Sequence, residues 1–313
     1  MSGLSLRALR LRGENGSRQW VGTALLLLGT FFWGVTFVVV KEAVAETDVF
    51  TFLAWRFALA ALVLAALFTG RMLRIDRRCL GVGALLGALL AASYIFQTVG
   101  LRTTGAARAG FLTGLSVVLV PLLLPVLRRI GPGLRPSLAA LLAGAGLAVM
   151  TLAGPVEFAR GDAWVLACAV AFAVYIILVG KFSREFDAVS LTVVQLVTVA
   201  VVSAVAAPIA SAGLSVPHGW ITWRAILFCA LLATAFMYTV QNHYQRYLTE
   251  VQTAVIFATE PIFAALAAWA WLGEALTPRL LLGGGLIVAG MLLAEARGNS
   301  PQRHKDHKVQ SER

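Results

Sequence analysis

The side chains able to do chemistry in this chain are few, and each interrupts a long apolar stretch. Glu260 stands in Thr259-Glu260-Pro261 and Arg56 in Ala54-Trp55-Arg56-Phe57, with apolar sequence on both sides. Burial disfavours the charged form of a carboxyl, so Glu260 is expected to exchange a proton or hold a cation. Arg56 is its candidate ion-pair partner, and a plainer role for Glu260 is bonding to backbone freed by Pro261. Ser93, Tyr94 and Gln97 recur at a spacing that puts them on one helix face. Tyr238, Gln241, Asn242 and Gln245 form a similar stripe, while Trp33 and Tyr175 stand in the middle of other apolar runs. Aromatic walls with amide groups suit a neutral or zwitterionic organic molecule that has an apolar part. Trp33, Tyr94, Gln97, Tyr175, Tyr238, Gln241 and Asn242 are therefore the candidate binding residues. The competing role for the same groups is interhelical hydrogen bonding that only holds helices together.

No catalytic constellation accompanies them. The chain has no GxxxxGK[ST] loop, no HExxH pair and no clustered aspartates for a magnesium–diphosphate, and His243 stands among Gln, Asn and Tyr. Cys79, Cys168 and Cys229 are far apart, so neither a metal centre nor a structural disulfide is expected. The reading is a protein without cofactor that is not an enzyme.

The elements that position these residues follow from composition. Of 313 residues, 59% are hydrophobic and 13% charged, where soluble proteins carry about 25% charged. Mean hydropathy is +0.83. Such a chain is a polytopic membrane protein, and its net charge of +11 is not read as a nucleic-acid signal. A spanning helix needs about 20 apolar residues, and ten runs qualify: 20–40, 50–69, 80–100, 106–127, 138–154, 162–180, 189–209, 223–244, 251–272 and 279–296. The alternating ten-residue pattern of a membrane barrel is absent, so the predicted fold is all-α.

Charge placement orients the spans. Nineteen of the 26 Lys and Arg fall in the N-terminal segment, the loops after the even-numbered spans and the tail; six fall on the other side, and Arg56 lies within a span. The positive-inside rule then predicts both termini in the cytoplasm. Trp20, Trp55, Trp164, Trp220, Trp223, Trp269 and Trp271 lie near span ends, as an interfacial belt would. Ala43-Val44-Ala45 resembles a signal-cleavage site, but the preceding run is too long for a signal region, and no cleavage is expected.

The chain also repeats itself. Lys41 matches Lys181 at a shift of 140, and Tyr94-x-x-Gln97 matches Tyr238-x-x-Gln241 at a shift of 144, as Gly146 matches Gly290. Each half then holds five spans, and an odd number of crossings inverts the second half relative to the first. The predicted fold class is thus ten transmembrane helices as two inverted five-helix repeats. Inverted repeats are a construction principle of secondary transporters, with the substrate site at the repeat interface. Pro121, Pro125 and Pro261 are candidate hinges or kinks, and the glycines Gly144, Gly146, Gly283, Gly284, Gly285 and Gly290 are expected to allow close packing.

Trp33-Gly34 through Lys41, followed by Ala54-Trp55-Arg56-Phe57, resembles the opening of an EamA-like transporter domain. Glu260-Pro261-Ile262-Phe263-Ala264-Ala265, followed by Leu272-Gly273-Glu274-Ala275-Leu276-Thr277, resembles the end-of-repeat signature of that family. The first half departs from it: Arg128-Arg129-Ile130-Gly131 lacks the Gly-Glu pair. The resemblance to the drug/metabolite transporter superfamily covers about residues 22–296 in two copies. It implies an inner-membrane carrier, often an exporter of amino acids or other metabolites. The expected organisation is a basic cytoplasmic segment 1–19, a first repeat 20–154, a second repeat 160–296 and a disordered basic tail 297–313. The expected partners are a small-molecule substrate, the lipid bilayer and protons, without nucleic acid, and a homodimer is open. A membrane-embedded enzyme and a non-transporting scaffold or channel are the rival classes. Glu274 is read as a structural residue, Thr277-Pro278 as a helix start, and His304 and His307 as part of a solvated tail.

Overall fold

The computed structural model describes residues 2–43, 46–73, 75–101, 103, 106–151, 160–210, 213–272 and 276–295. Val44, Ala45, Glu274 and the tail 297–313 with His304 and His307 lie outside the described residues. Among the described residues there is no strand, nine helices are long and apolar enough to cross a membrane, and a tenth, Leu134–Met150, is shorter. The protein is an all-α, multi-pass membrane protein.

The helices are α1 (Ser2–Ala43), α2 (Val49–Leu67), α3 (Arg77–Leu101), α4a (Ala106–Gly114), α4b (Ser116–Arg128), α5 (Leu134–Thr151), α6 (Arg160–Phe182), α7 (Ala188–Ala210), α8 (Trp220–Tyr247), α9a (Glu250–Phe257), α9b (Glu260–Leu272) and α10 (Pro278–Glu295). A single turn, Thr69–Met72, follows α2. Local chemistry sets several starts. The Asp48 carboxylate accepts from the Thr51 backbone N–H (3.0 Å) and caps α2. Thr249 and Gln252 form a reciprocal capping box on α9a. Thr277 Oγ1 accepts from Leu280 N–H (3.3 Å) ahead of Pro278, where a missing N–H costs nothing.

Packing repeats across the two halves. The pairs α2–α7 and α5–α10 join equivalent helices, and α3 packs on α6 and α7 as α8 packs on α1 and α2. Likewise α1 packs on α9b, as α6 packs on α4b. This is the contact pattern of two inverted five-helix repeats about a pseudo-twofold axis. Without a hydrophobic drive between helices in lipid, close backbone approach supplies the attraction. A Cβ on Gly146 would lie 2.5 Å from the Gly283 carbonyl oxygen, and one on Gly290 would lie 2.7 Å from that of Ala139, so α5 and α10 meet only because these positions are glycine. Gly285, by contrast, faces open space.

Two spans are broken. The α-helical ladder of the fourth is interrupted by a tightened turn at Leu115, between α4a and α4b, and that of the ninth at Ala258–Thr259, between α9a and α9b, with Leu115 and Ala258 still right-handed helical. Leu115 and Thr259 are 144 residues apart, the same shift that relates the two tyrosines. The prolines do not explain both breaks. Pro261 sits in the first turn of α9b, where it is tolerated, whereas Pro121 and Pro125 lie inside a continuous α4b.

Both chain ends of the bundle meet on one side, where Gln19 and Thr23 of α1 donate to the Glu295 carboxylate of α10 (3.2 and 2.9 Å). That side also holds the cross-repeat ion pairs Arg71–Asp187 (2.8 Å) and Arg128–Glu250 (2.6 Å), together with Arg78–Glu185.

Candidate functional site

The candidate residues converge where the repeats meet. Glu260 lies ten residues past Glu250, about 15 Å along a helix at 1.5 Å per residue and so near the middle of a bilayer core of about 30 Å. It opens α9b, where the positive end of the half-helix dipole favours a carboxylate. Gly34 lets α1 approach here: a Cβ on it would lie 2.7 Å from the Ala264 backbone nitrogen.

Tyr94 of α3 and Tyr238 of α8, equivalent residues of the two repeats, hydrogen-bond to each other through their hydroxyls (3.0 Å). The pseudo-twofold axis therefore passes between them. Trp33 packs on Tyr238 (5.8 Å between ring centroids) and on Phe257 (5.1 Å), the last residue before the break in α9. Phe172 of α6 stacks on both Tyr175 and Phe257 (5.9 and 6.0 Å). The result is an aromatic wall shared by α1, α3, α6, α8 and α9a.

Arg56 is 5% exposed and finds its partners in a π-helical turn of α8, Leu231–Phe236. Its Nε donates to Thr234 Oγ1 (2.8 Å), and a terminal nitrogen donates to the Ala233 carbonyl (3.5 Å). The same carbonyl accepts from Trp33 Nε1 (2.7 Å). A π turn shifts the i→i−4 bonding register, and here it presents backbone and hydroxyl acceptors to a guanidinium at the middle of the bundle. The guanidinium also lies over the rings of Phe57 and Tyr94 (5.4 and 5.6 Å), a cation–π arrangement that gains strength when dry. Arg56 and Glu260 are close enough to interact electrostatically, but among the described residues no cation lies within 4 Å of Glu260. The two opposite charges are thus held apart rather than closed on each other.

The remaining candidates divide into two groups. Tyr175 donates to Gln195 Oε1 (2.9 Å), Gln195 to Asn242 Oδ1 (3.1 Å), and Asn242 to Thr192 Oγ1 and the Tyr238 carbonyl (3.1 and 2.9 Å). These fully buried groups bind α6, α7 and α8 into one polar network. Gln241 donates to Gln245 (3.0 Å), which donates to the Ile176 carbonyl (2.6 Å), while the buried Gln241 Oε1 has no partner among the described residues. Tyr94, Gln97 and Glu260 form the second group: they are only half-buried, and Gln97 donates to Thr113 Oγ1 (3.2 Å) in α4a, two residues before the break.

Each repeat of this architecture matches one known family. The description "EamA-like transporter family" fits residues 20–152 and again 159–295. The chain belongs to the EamA-like transporter family. A protein of Archaeoglobus fulgidus named "Uncharacterized transporter" is 31% identical over 290 residues, covering 91% of this chain and 89% of its own. A second protein of that organism, named in the same words, is 28% identical over 87% of this chain and 96% of its own. The "Uncharacterized transporter YyaM" of Bacillus subtilis is 24% identical over 86% and 92%. A solved crystal structure superposes with a TM-score of 0.75 at 20% identity, over 88% of this chain and 96% of its own, which speaks to the fold. This EamA-like protein is a membrane transporter embedded in a lipid bilayer.

Sequence reasoning passed over three contributors to the transporter's centre. Gln195 is a lone amide in the run 189–209, and a rare polar group in lipid was itself the signal. Thr234 and Thr113 gave no such signal, because a threonine satisfies itself on its own helix in most spans.

Proposed function

We propose that this transporter is a secondary carrier that exports a small metabolite, amino acid or drug-like compound across the cell (inner or plasma) membrane by alternating access, with both termini cytoplasmic. Nineteen basic residues on the side of the termini against six on the other support that orientation. The observation that carries the reading is the junction itself. Two helices break at equivalent midplane positions, and beside the second break a carboxyl and a guanidinium are held apart within aromatic walls. A zwitterionic solute with an apolar part would satisfy both charges, its ammonium toward Glu260 and its carboxylate toward Arg56. Glu260 would carry the coupling proton when the substrate is absent. The polar network of Tyr175, Gln195 and Asn242 supports a rigid face on the second repeat against which α4 and α9 rock.

The test is uptake of amino acids and amphipathic amines into inside-out vesicles that carry the protein, with and without an imposed pH gradient. Accumulation above protein-free vesicles is expected, and its absence for every compound under both conditions overturns the carrier reading. Single-channel currents would instead favour a channel.

A further inference from the structure

A groove of about 270 Å³ runs along the outer surface between α2 and α8, on the outward side of the α8 π turn. Leu64, Leu67, Leu231, Phe236, Thr239 and Val240 wall it. Leu67 and Leu231 are 70% and 40% exposed, so the groove faces the membrane hydrocarbon rather than a packed helix. One polar atom is out of place there. Thr239 Oγ1 is shielded from solvent and has no hydrogen-bond partner among the described residues. An unpaired hydroxyl in an apolar setting costs free energy, and a helical threonine ordinarily avoids this by bonding to its own preceding turn.

Toward the end of the bundle where Gln19 meets Glu295, the stripe of α8 that carries Thr239 continues through His243 and Arg246, four and seven residues on. His243 is exposed and lies within electrostatic reach of Arg18, Arg71, Arg246 and Asp187. Arg18 donates to the Tyr247 hydroxyl (3.0 Å), Arg71 pairs with Asp187 (2.8 Å), and Arg246 donates to the Phe186 carbonyl (3.3 Å) while its Nε stays buried without a partner among the described residues. Three guanidiniums and an imidazole thus gather around Asp187 at the membrane–water boundary, beside the Arg78–Glu185 pair and in line with the groove. Basic clusters at that depth attract anionic lipid headgroups.

We propose that this groove is a site for an anionic phospholipid. One acyl chain fills the groove, the Thr239 side chain turns about χ1 to bring its hydroxyl to the groove surface and donate to an ester carbonyl, and the phosphate rests among Arg18, Arg71, His243 and Arg246. The spacing fits: Thr239 and His243 are about 6 Å apart along the axis at 1.5 Å per residue, the order of the separation between a lipid's ester and its phosphate. The groove backs directly onto the π turn Leu231–Phe236, whose other side holds Arg56 and Trp33. A bound lipid therefore braces the turn that positions the central guanidinium.

The experiment is native mass spectrometry of the full chain released from detergent, after addition of dioleoyl phosphatidylglycerol or dioleoyl phosphatidylcholine. Phosphatidylglycerol is expected to be retained roughly tenfold better, the preference that one to two net cations near the surface supply. Leu67→Trp and Leu231→Trp each fill the groove from an outward-facing position and are expected to lower phosphatidylglycerol retention by roughly tenfold. Two independent positions guard against one variant that misfolds. An Arg18→Gln, Arg71→Gln double variant is expected to bring phosphatidylglycerol down to the phosphatidylcholine level. Equal retention of both lipids by the wild-type chain overturns the site, as does undiminished phosphatidylglycerol retention in both Trp variants. Displacement of the lipid by millimolar inorganic phosphate also overturns it, because the cluster would then bind a free anion without the acyl groove.

Discussion

The broken helices α4 and α9 occupy equivalent places in the two repeats, yet their breaks differ in chemistry. Leu115 hands over to Ser116 in the first, and Thr259 hands over to Glu260 in the second. Ser116 is buried, whereas Glu260 is half-buried. The opposing guanidinium comes from the first repeat, since Arg56 sits in α2 and reaches across to the π turn of α8. Duplication therefore accounts for the scaffold and its midplane breaks, while the charges that would handle a substrate are distributed asymmetrically, one per repeat. A duplicated bundle can rock symmetrically; a charged site at its axis needs only one copy of each group.

The largest expected effect tests that asymmetry directly. Glu260→Gln keeps the shape and removes the titratable group, so accumulation driven by a pH gradient in inside-out vesicles should fall at least tenfold, within the range that loss of a proton-transfer group produces. An unchanged response to the gradient would remove Glu260 from coupling. The symmetric change, Ser116→Glu, should instead lower the folded yield, because it places a carboxyl at a more deeply buried site.

Arg56→Leu should come next. It leaves Thr234 Oγ1 and one interaction of the Ala233 carbonyl unmet, a cost of about 2–3 kcal/mol, visible as a lower melting temperature in detergent. Arg56→Lys should restore part of that stability, because an ammonium reaches one acceptor but lacks the planar fork.

The two repeats can also be compared at the end where Gln19 meets Glu295. Arg128 and Glu250 are 20% and 9% exposed and join α4b to α9a, and Glu250 fits tightly against Gly180 of α6. Arg128→Ala should cost about 2–4 kcal/mol by stranding the carboxylate. Arg78→Ala at the exposed Arg78–Glu185 pair should cost about 1 kcal/mol or less. Similar losses at both pairs, measured by thermal unfolding, would show that the buried pair is not special.

A comparably small effect concerns the symmetry axis. Tyr94→Phe and Tyr238→Phe remove the same hydrogen bond from opposite sides, so each should cost about 1 kcal/mol. The double variant should cost little more than either alone, and full additivity would mean that the two hydroxyls act independently.

Much of the framework was legible in the residues. The apolar runs, the shift that relates Tyr94-x-x-Gln97 to Tyr238-x-x-Gln241, and the Thr277-Pro278 helix start all depend on local periodicity and capping. The breaks were not legible in the same way. Leu115 is a strong helix former with no proline beside it, and the nearest prolines, Pro121 and Pro125, lie inside α4b rather than at the break. Arg56 was a candidate partner of Glu260, with their meeting left open by the sequence; its direct partners are Thr234 and the Ala233 carbonyl of a π turn that no residue type announces.

The sequence by itself determined the class of molecule, the number of spans and their duplication, because hydrophobic length and repeat spacing act within one segment at a time. Only the tertiary structure decided which polar groups meet: Tyr94 with Tyr238, Tyr175 with Gln195 and Asn242, Arg56 with the π turn. Those pairings depend on helix rotation and depth. In lipid these are set by close backbone contacts such as Gly34 on Ala264 and Gly146 on Gly283, which join residues far apart in the chain.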